Sequence, residues 1–237
     1  MKTVYEKYFV NTKGSKNIGR DVYEYIISKA EDDLCPYCLH GTVKTVDHYL
    51  PKAYFISYAV TPINLLPCCS DCNKNKKDIR DLTANKMFIN PYFDNINDLN
   101  WLECKLIENQ WPITFKYNVK EDIENEILKK RLEMQFESLE LGTLYASNAV
   151  RYFRGRVKLI VEEYESGNEE APIQFLISSK ESMEIYNLNA WQAKVYEALL
   201  NSDWFLVDAI NHLREYYHIE DKGVPQLPRL NGVFHND

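Results

Sequence analysis

Two Cys-x-x-Cys knuckles, Cys35-Pro36-Tyr37-Cys38 and Cys69-Ser70-Asp71-Cys72, bracket a segment that carries Asp47-His48 and Asn64, and Asn73 follows directly. A Cys-x-x-Cys turn presents two sulfurs to one side of a borderline-soft cation, and two such turns complete a tetrahedral four-thiolate site. The spacing therefore predicts that Cys35, Cys38, Cys69 and Cys72 hold a structural Zn2+. Thirty residues lie between Cys38 and Cys69, so the metal would clip together the ends of a small subdomain whose own core is thin. The remaining cysteines, Cys68 and Cys104, read as buried thiols. Cys68 could compete with Cys69, but only Cys69 has the two-residue spacing to Cys72. No thioredoxin-like strand–helix context surrounds either pair, so a redox role is not expected.

The residues between the knuckles suit a different chemistry. Hydrolysis of a phosphodiester needs a base to activate water, a divalent cation to stabilise charge on the phosphate and leaving oxygen, and a hold on the strand. His48 is the candidate base, since imidazole titrates near neutrality. Asp47 and Asn73 offer oxygens to a hard cation such as Mg2+ or Mn2+. Asn64 is expected to accept from His48 and fix its tautomer. Lys52, Lys74, Lys76 and Lys77 are the candidate phosphate contacts. Each residue alone has a plainer role: a histidine near a strand end is commonly core-satisfied, asparagines cap turns, and lysines cover solvated faces. Their joint spacing inside the cysteine clamp favours the catalytic reading.

The elements that must position these residues are legible in pattern. Residues 18–31 read as a helix with Val22, Tyr23, Ile26 and Ile27 on one face. Residues 42–49 are rich in β-branched types and read as a strand that Pro51 ends; 52–60 reads as a loop or short helix. Asn64 to Pro67 is a second extended piece, and 70–80 a helix carrying Lys74, Lys76, Lys77 and Arg80. The turn Asn90-Pro91-Tyr92-Phe93-Asp94 is the expected domain boundary, separating a metal-clamped domain over 1–90 from a mostly helical one over 91–237. In the latter, Trp101-Leu102 and Ile113 to Val119 suggest a small strand pair. Helices are expected over 121–139, 142–165, 181–200 and 203–217, with Gly167-Asn168 a helix stop and an irregular tail from Gly223. The fold class is α+β.

Composition sets outer limits. The 237 residues are 45% hydrophobic, enough for a sizeable core. A formal net charge of −7 argues against a protein that coats nucleic acid non-specifically. From Lys44 to Lys86, however, seven basic residues face four acidic ones, and the acidic excess lies mostly after residue 90. Arg151, Arg154, Arg156 and Lys158 cluster on one expected helix, either as a solvated face or as an extension of the phosphate track. No apolar run approaches the roughly 20 residues needed to cross a bilayer, and Met1 to Lys7 lack a signal-peptide core. A cytoplasmic protein without a membrane partner is the expectation.

Three stretches, Asp47-His48-Tyr49-Leu50-Pro51-Lys52, Asn64-Leu65-Leu66-Pro67 and Cys69 to Lys76, together resemble the HNH endonuclease family. The resemblance covers about residues 34–78 and implies a ββα-metal nuclease core, stapled by zinc, within 1–90. It makes His48 the general base, Asn64 its orienting partner, and Asp47 and Asn73 the ligands of a catalytic Mg2+ or Mn2+. The third motif position is Asn73 where a His is common, which leaves the metal preference open. The Pro91 to Asp94 segment is similar to one that follows the nuclease in some HNH proteins. Such nucleases occur in anti-phage systems of the Septu type, where a partner protein licenses cleavage. The resemblance thus implies a nucleic-acid substrate, DNA foremost, and a regulatory protein partner on the acidic helical region. The alternative is a non-catalytic zinc-containing module that binds nucleic acid or protein.

Overall fold

The computed structural model describes residues 18–77, 81–168 and 170–219. The expectations for Met1 to Lys7, Arg80 and the tail from Gly223 fall outside the described residues. Helix α1 (Ile18–Ile27) is amphipathic: Ile26 is buried with Val46 and Leu65, and Val22, Tyr23 and Ile27 pack on them. It ends before residue 31. A single 3-10 turn, Glu31–Asp33, follows, in which Asp32 and Asp33 take positive φ of 48° and 58°. Aspartate tolerates that conformation better than most residues.

Strands β1 (Thr45–His48) and β2 (Leu65–Cys68) pair antiparallel, with Thr45 opposite Cys68 and His48 opposite Leu65. Pro67 is admitted because a two-stranded sheet is all edge. Between them, Ile56–Tyr58 and Pro62–Asn64 form 3-10 turns, which settles 52–60 as mostly loop. Helix α2 (Ser70–Lys76) starts from Cys69 as its cap and ends at Lys77, whose φ is +56°. The cysteine that serves the cluster thus also sets the start of the helix.

The second expected strand pair is present as β3 (Leu102–Ile107) and β4 (Thr114–Val119), antiparallel in register. Leu102, Cys104, Leu106, Phe115, Tyr117 and Val119 alternate inward, the pattern of a half-buried sheet. Helix α3 (Glu126–Ser138) is capped by Asn125, whose side chain accepts from Leu128 N at 3.0 Å. The single helix expected over 142–165 is two, α4 (Leu141–Arg154) and α5 (Val157–Glu165). They part at Gly155-Arg156, where glycine is a poor helix former.

Helix α6 (Ala171–Glu184) was not expected, and the helix foreseen over 181–200 is only α7 (Trp191–Leu200) plus the end of α6. The reason for the break is Asn187 to Asn189. Asn187 Oδ1 accepts from Asn189 N at 2.7 Å, a local bond that competes with helix. Asn189 then accepts from Trp101 N and Leu102 N at 2.9 and 3.0 Å, seating the first residues of β3. The stretch 203–217 is α8 (Asp203–Val207), a 3-10 turn and α9 (Leu213–Tyr216).

The apolar core does not stop at residue 90. One cluster runs from Cys35 and Tyr37 through Phe88, Leu102, Phe115 and Phe153 to Leu199 and Leu213. Polar ties follow the same path. Arg131 on α3 donates to Met87 O (3.1 Å), Phe88 O (2.7 Å) and both Asp94 carboxylate oxygens, the Oδ1 contact being 2.9 Å. Tyr92 donates to Leu65 O at 3.0 Å. The Asn90 to Asp94 turn is therefore a staple between β2 and α3. Among the described residues no helix is long and apolar enough to cross a membrane. We expect Arg131→Ala to leave the Asp94 carboxylate without its cation and Met87 O without its side-chain donor, and to destabilise the chain by about 2–3 kcal/mol. Chemical denaturation monitored by circular dichroism checks this.

Candidate metal centre

The first knuckle is wound by Cys38 N and Leu39 N donating to Cys35 O at 3.3 and 2.8 Å, with Leu39 at a φ of +48°. Cys35 N donates to Gly41 O at 2.8 Å, and Gly41 N donates to Cys38 Sγ at 3.3 Å. Gly41 faces the second knuckle so closely that an added Cβ would lie 2.8 Å from Cys69 Cβ and 2.9 Å from its Sγ. Only glycine permits that approach. In the second knuckle Cys72 N donates to Cys69 Sγ at 3.4 Å.

The sulfurs of Cys35, Cys38, Cys69 and Cys72 lie within 4.8 Å of one another, and all four residues are buried. Cys38 and Cys69 Sγ are 3.9 Å apart. A Zn–S bond of about 2.3 Å in a tetrahedron requires about 3.8 Å between sulfurs. The donor set fits, and the cluster could hold a structural metal such as zinc. Hydrogen bonds from Cys35, then Cys38 and Cys72, pull the Cys69 thiol down, while Cys35, Cys38 and Cys69 push Cys72 up. The protein's own donors thus favour ionising one sulfur at the expense of others. A dication would permit four thiolates together. Cys68 and Cys104 stay outside the cluster, and burial pushes each thiol up to about 12.

The residues between the knuckles sit on the β1–α2 interface. Tyr37 Oη donates to Asp47 Oδ2 at 3.0 Å, and Lys76 Nζ lies 2.9 Å from the same oxygen. Lys76 also donates to His48 O and Tyr49 O at 3.0 and 3.1 Å and stands 5.8 Å from the centroids of the Tyr49 and Phe88 rings. At 3% exposure its ammonium is committed inward. This burial corrects the expectation of Lys76 as a phosphate contact, because its ammonium is taken up by Asp47 and two carbonyls. Its position three residues after Asn73 puts it on the helix face that meets β1. Lys52, Lys74 and Lys77 are exposed.

His48 is 8% exposed, and its Nε2 lies 3.0 Å from Ala59 O. A carbonyl can only accept, so Nε2 carries the hydrogen and the neutral ring has its lone pair on Nδ1. Burial lowers its pKa below the usual imidazole value, the Ala59 bond works against that shift, and the nearby Lys52 charge adds to it. Asn64 reaches this segment through the backbone. Its Oδ1 accepts from Leu50 N at 2.7 Å, its Nδ2 donates to Leu50 O and Tyr58 O at 3.2 and 3.1 Å, and its own carbonyl accepts from Tyr49 N at 2.9 Å. The expected acceptance by Asn64 from His48 is not among these bonds: Asn64 Oδ1 takes Leu50 N, and it is Ala59 O that faces His48 Nε2. Asn73 Nδ2 donates to Thr45 Oγ1 at 3.0 Å. Thr45 and Asp47 share one face of β1, so Asn73 and Asp47 belong to the same interface.

Tyr37 and Gly41 were not singled out by sequence reasoning. The aromatic inside the first knuckle and the glycine three residues past Cys38 were the available signals. The knuckle is also tied to the helices: Tyr145 Oη donates to Cys38 O at 2.9 Å, and Gln135 donates to Tyr37 O at 3.3 Å while accepting from Ile89 N at 3.0 Å.

The chain is similar to Protein ea31 of Escherichia phage lambda, at 25% identity over 217 residues, covering 84% of this chain and 72% of that protein. No protein-family model matches the chain, and no solved structure does.

Two outcomes follow from this geometry. Gly41→Ala should lower the stoichiometry of bound zinc from one per chain, as read by elemental analysis after gel filtration; full retention would mean that the knuckles can move apart. Lys76→Met should strand the Asp47 carboxylate and cost about 3–5 kcal/mol in a urea unfolding curve.

Proposed function

We propose that the chain is a metal-dependent HNH endonuclease that hydrolyses phosphodiester bonds in nucleic acid, with DNA the first substrate to try. The single observation that carries the reading is the state of His48. A buried imidazole, neutral at pH 7, has its tautomer set by Ala59 O and its lone pair on Nδ1, as a general base requires. It lies at the end of β1, beside Asp47, in the order β1, β2, α2.

In this reading His48 Nδ1 takes a proton from the attacking water. The water oxygen bonds to phosphorus as the bond to the leaving sugar oxygen breaks. A bound Mg2+ or Mn2+ would supply charge stabilisation on the phosphate and the leaving oxygen. The oxygens that could hold it are Asp47 Oδ1 and Asn73 Oδ1, since Asp47 Oδ2 is occupied by Lys76 and Tyr37. The Lys76 ammonium on the same carboxylate weakens its attraction for a dication. Asn64 holds the backbone after His48, and Lys52, Lys74 and Lys77 are placed to meet phosphates. The Septu-like resemblance adds an anti-phage effector role, with a protein partner on the acidic helices.

The Lys76–Asp47 pair also favours a second reading, a non-catalytic zinc-containing module that binds nucleic acid or protein, because it supplies Asp47 with a cation from the chain itself. Plasmid nicking separates the two. We expect nicking with Mg2+ or Mn2+, and a loss of about 10²-fold or more for His48→Ala. Equal rates for the two proteins would remove His48 from the reaction; no nicking by the wild type would favour the module.

The pH dependence has a defined sign. The folded pKa of His48 lies below the unfolded value of about 6.5. The acid limb of kcat/KM should therefore fall below pH 6.5. Stability should decline as pH drops under 6.5, where the unfolded chain takes the proton first, and level off below the folded pKa. A pH–rate profile whose acid limb lies above 6.5 would contradict the assignment of His48 as base.

A further inference from the structure

The chain has 35 acidic side chains against 28 basic ones, and its described arginines fall into two groups. Arg20, Arg131 and Arg214 hold the carboxylates of Glu24, Asp94 and Glu165. Arg151, Arg154 and Arg156 hold no carboxylate among the described residues, and all three are exposed at the junction of α4 and α5.

Two of the three are nevertheless ordered. Arg151 Nη2 donates to Asn148 Oδ1 at 2.7 Å. The Arg156 guanidinium lies 5.3 Å over the Tyr152 ring. Tyr152 is itself wedged between Trp191, at 5.6 Å, and Tyr196, whose hydroxyl is 3.2 Å from its own. The helix termini account for only part of this placement. Arg151 and Arg154 sit in the last turn of α4, where cations are favoured. Arg156 caps the start of α5, the positive end of that helix, whose first turn has no acidic residue. A cation there is disfavoured until an anion joins it.

The junction also abuts the cysteine cluster. Trp191 packs on His40 at 5.7 Å, two residues past Cys38. Burial and the Arg151 charge both lower the His40 pKa. Tyr145, on the same helix as Arg151, donates to Cys38 O.

We propose that Arg151, Arg154 and Arg156 form a contact surface for the phosphodiester backbone of nucleic acid. The planar guanidinium fork matches phosphate oxygens in pairs, and a surface without base-reading groups would bind independently of sequence. The proposal rests on the nucleic-acid substrate of the nuclease reading and supplies a hold that Lys76 does not.

The test is fluorescence anisotropy with the full chain and a labelled 20-base-pair DNA duplex across a salt series, without added Mg2+ or Mn2+. The variant Arg151→Gln/Arg154→Gln/Arg156→Gln should bind about tenfold or more weakly, with the slope of log K against log salt shallower by about 2–3. The corresponding triple Arg→Lys variant should keep most of the slope. Lys180→Gln, whose partner is Glu184, should leave it unchanged. If the triple variant melts early, each single Arg→Gln should still shift the slope by about 0.9. An unchanged slope in folded variants, or no binding by the wild type, overturns the surface. A His48→Ala protein that nicks like wild type, with the arginine-dependent slope intact, would sink the His48 assignment and leave the surface standing.

Discussion

Four cysteine sulfurs held within 4.8 Å of one another bring together two stretches of the chain that are thirty residues apart. The first knuckle lies after α1, and the second is the cap of α2. Bringing them together closes a loop that contains β1, the 3-10 turns and β2. Closing such a loop costs entropy, and a cation bound by all four thiolates would offset that cost. The approach depends on Gly41 having no side chain, because any Cβ would overlap Cys69. His48 and Asn64 lie inside this closure, and Asn73 follows it directly.

Lys76, at the end of α2 just past the second knuckle, reaches back to β1. Its ammonium meets one carboxylate oxygen and two carbonyls, so it fixes the strand end from the helix side, while Asn64 fixes the segment after it from the loop side. A buried ion pair contributes less to net stability than its geometry suggests, because desolvating both partners is costly. Its effect is positional. The His48 carbonyl and the Asp47 carboxylate are held by one group, which ties the Asp47 side chain to the end of β1.

The cysteine cluster was legible because its signal is chemical spacing that no other constraint produces. The strand order β1, β2, α2 was legible because prolines and β-branched residues mark its limits. What was not legible depends on long-range contacts. Lys76 reads like Lys74 and Lys77 in sequence, and only the face of α2 that meets β1 distinguishes it. The break between α6 and α7 is set by Asn189 bonding to β3, some 87 residues earlier. The Asn90 to Asp94 turn was read correctly as a turn, yet its aromatic and acidic residues bind Leu65 and Arg131 across the expected boundary.

The bond from Tyr145 to the Cys38 carbonyl, with Gln135 on the Tyr37 carbonyl beside it, makes the helical layer part of the first knuckle's rigidity. Those carbonyls belong to the loop whose amides turn toward the sulfurs. A force applied to α4, by a bound partner or by local melting, would therefore be transmitted to the cluster within a single hydrogen bond. The helices and the metal centre would share one mechanical fate, and whatever grips α3 and α4 would also grip the frame that holds His48.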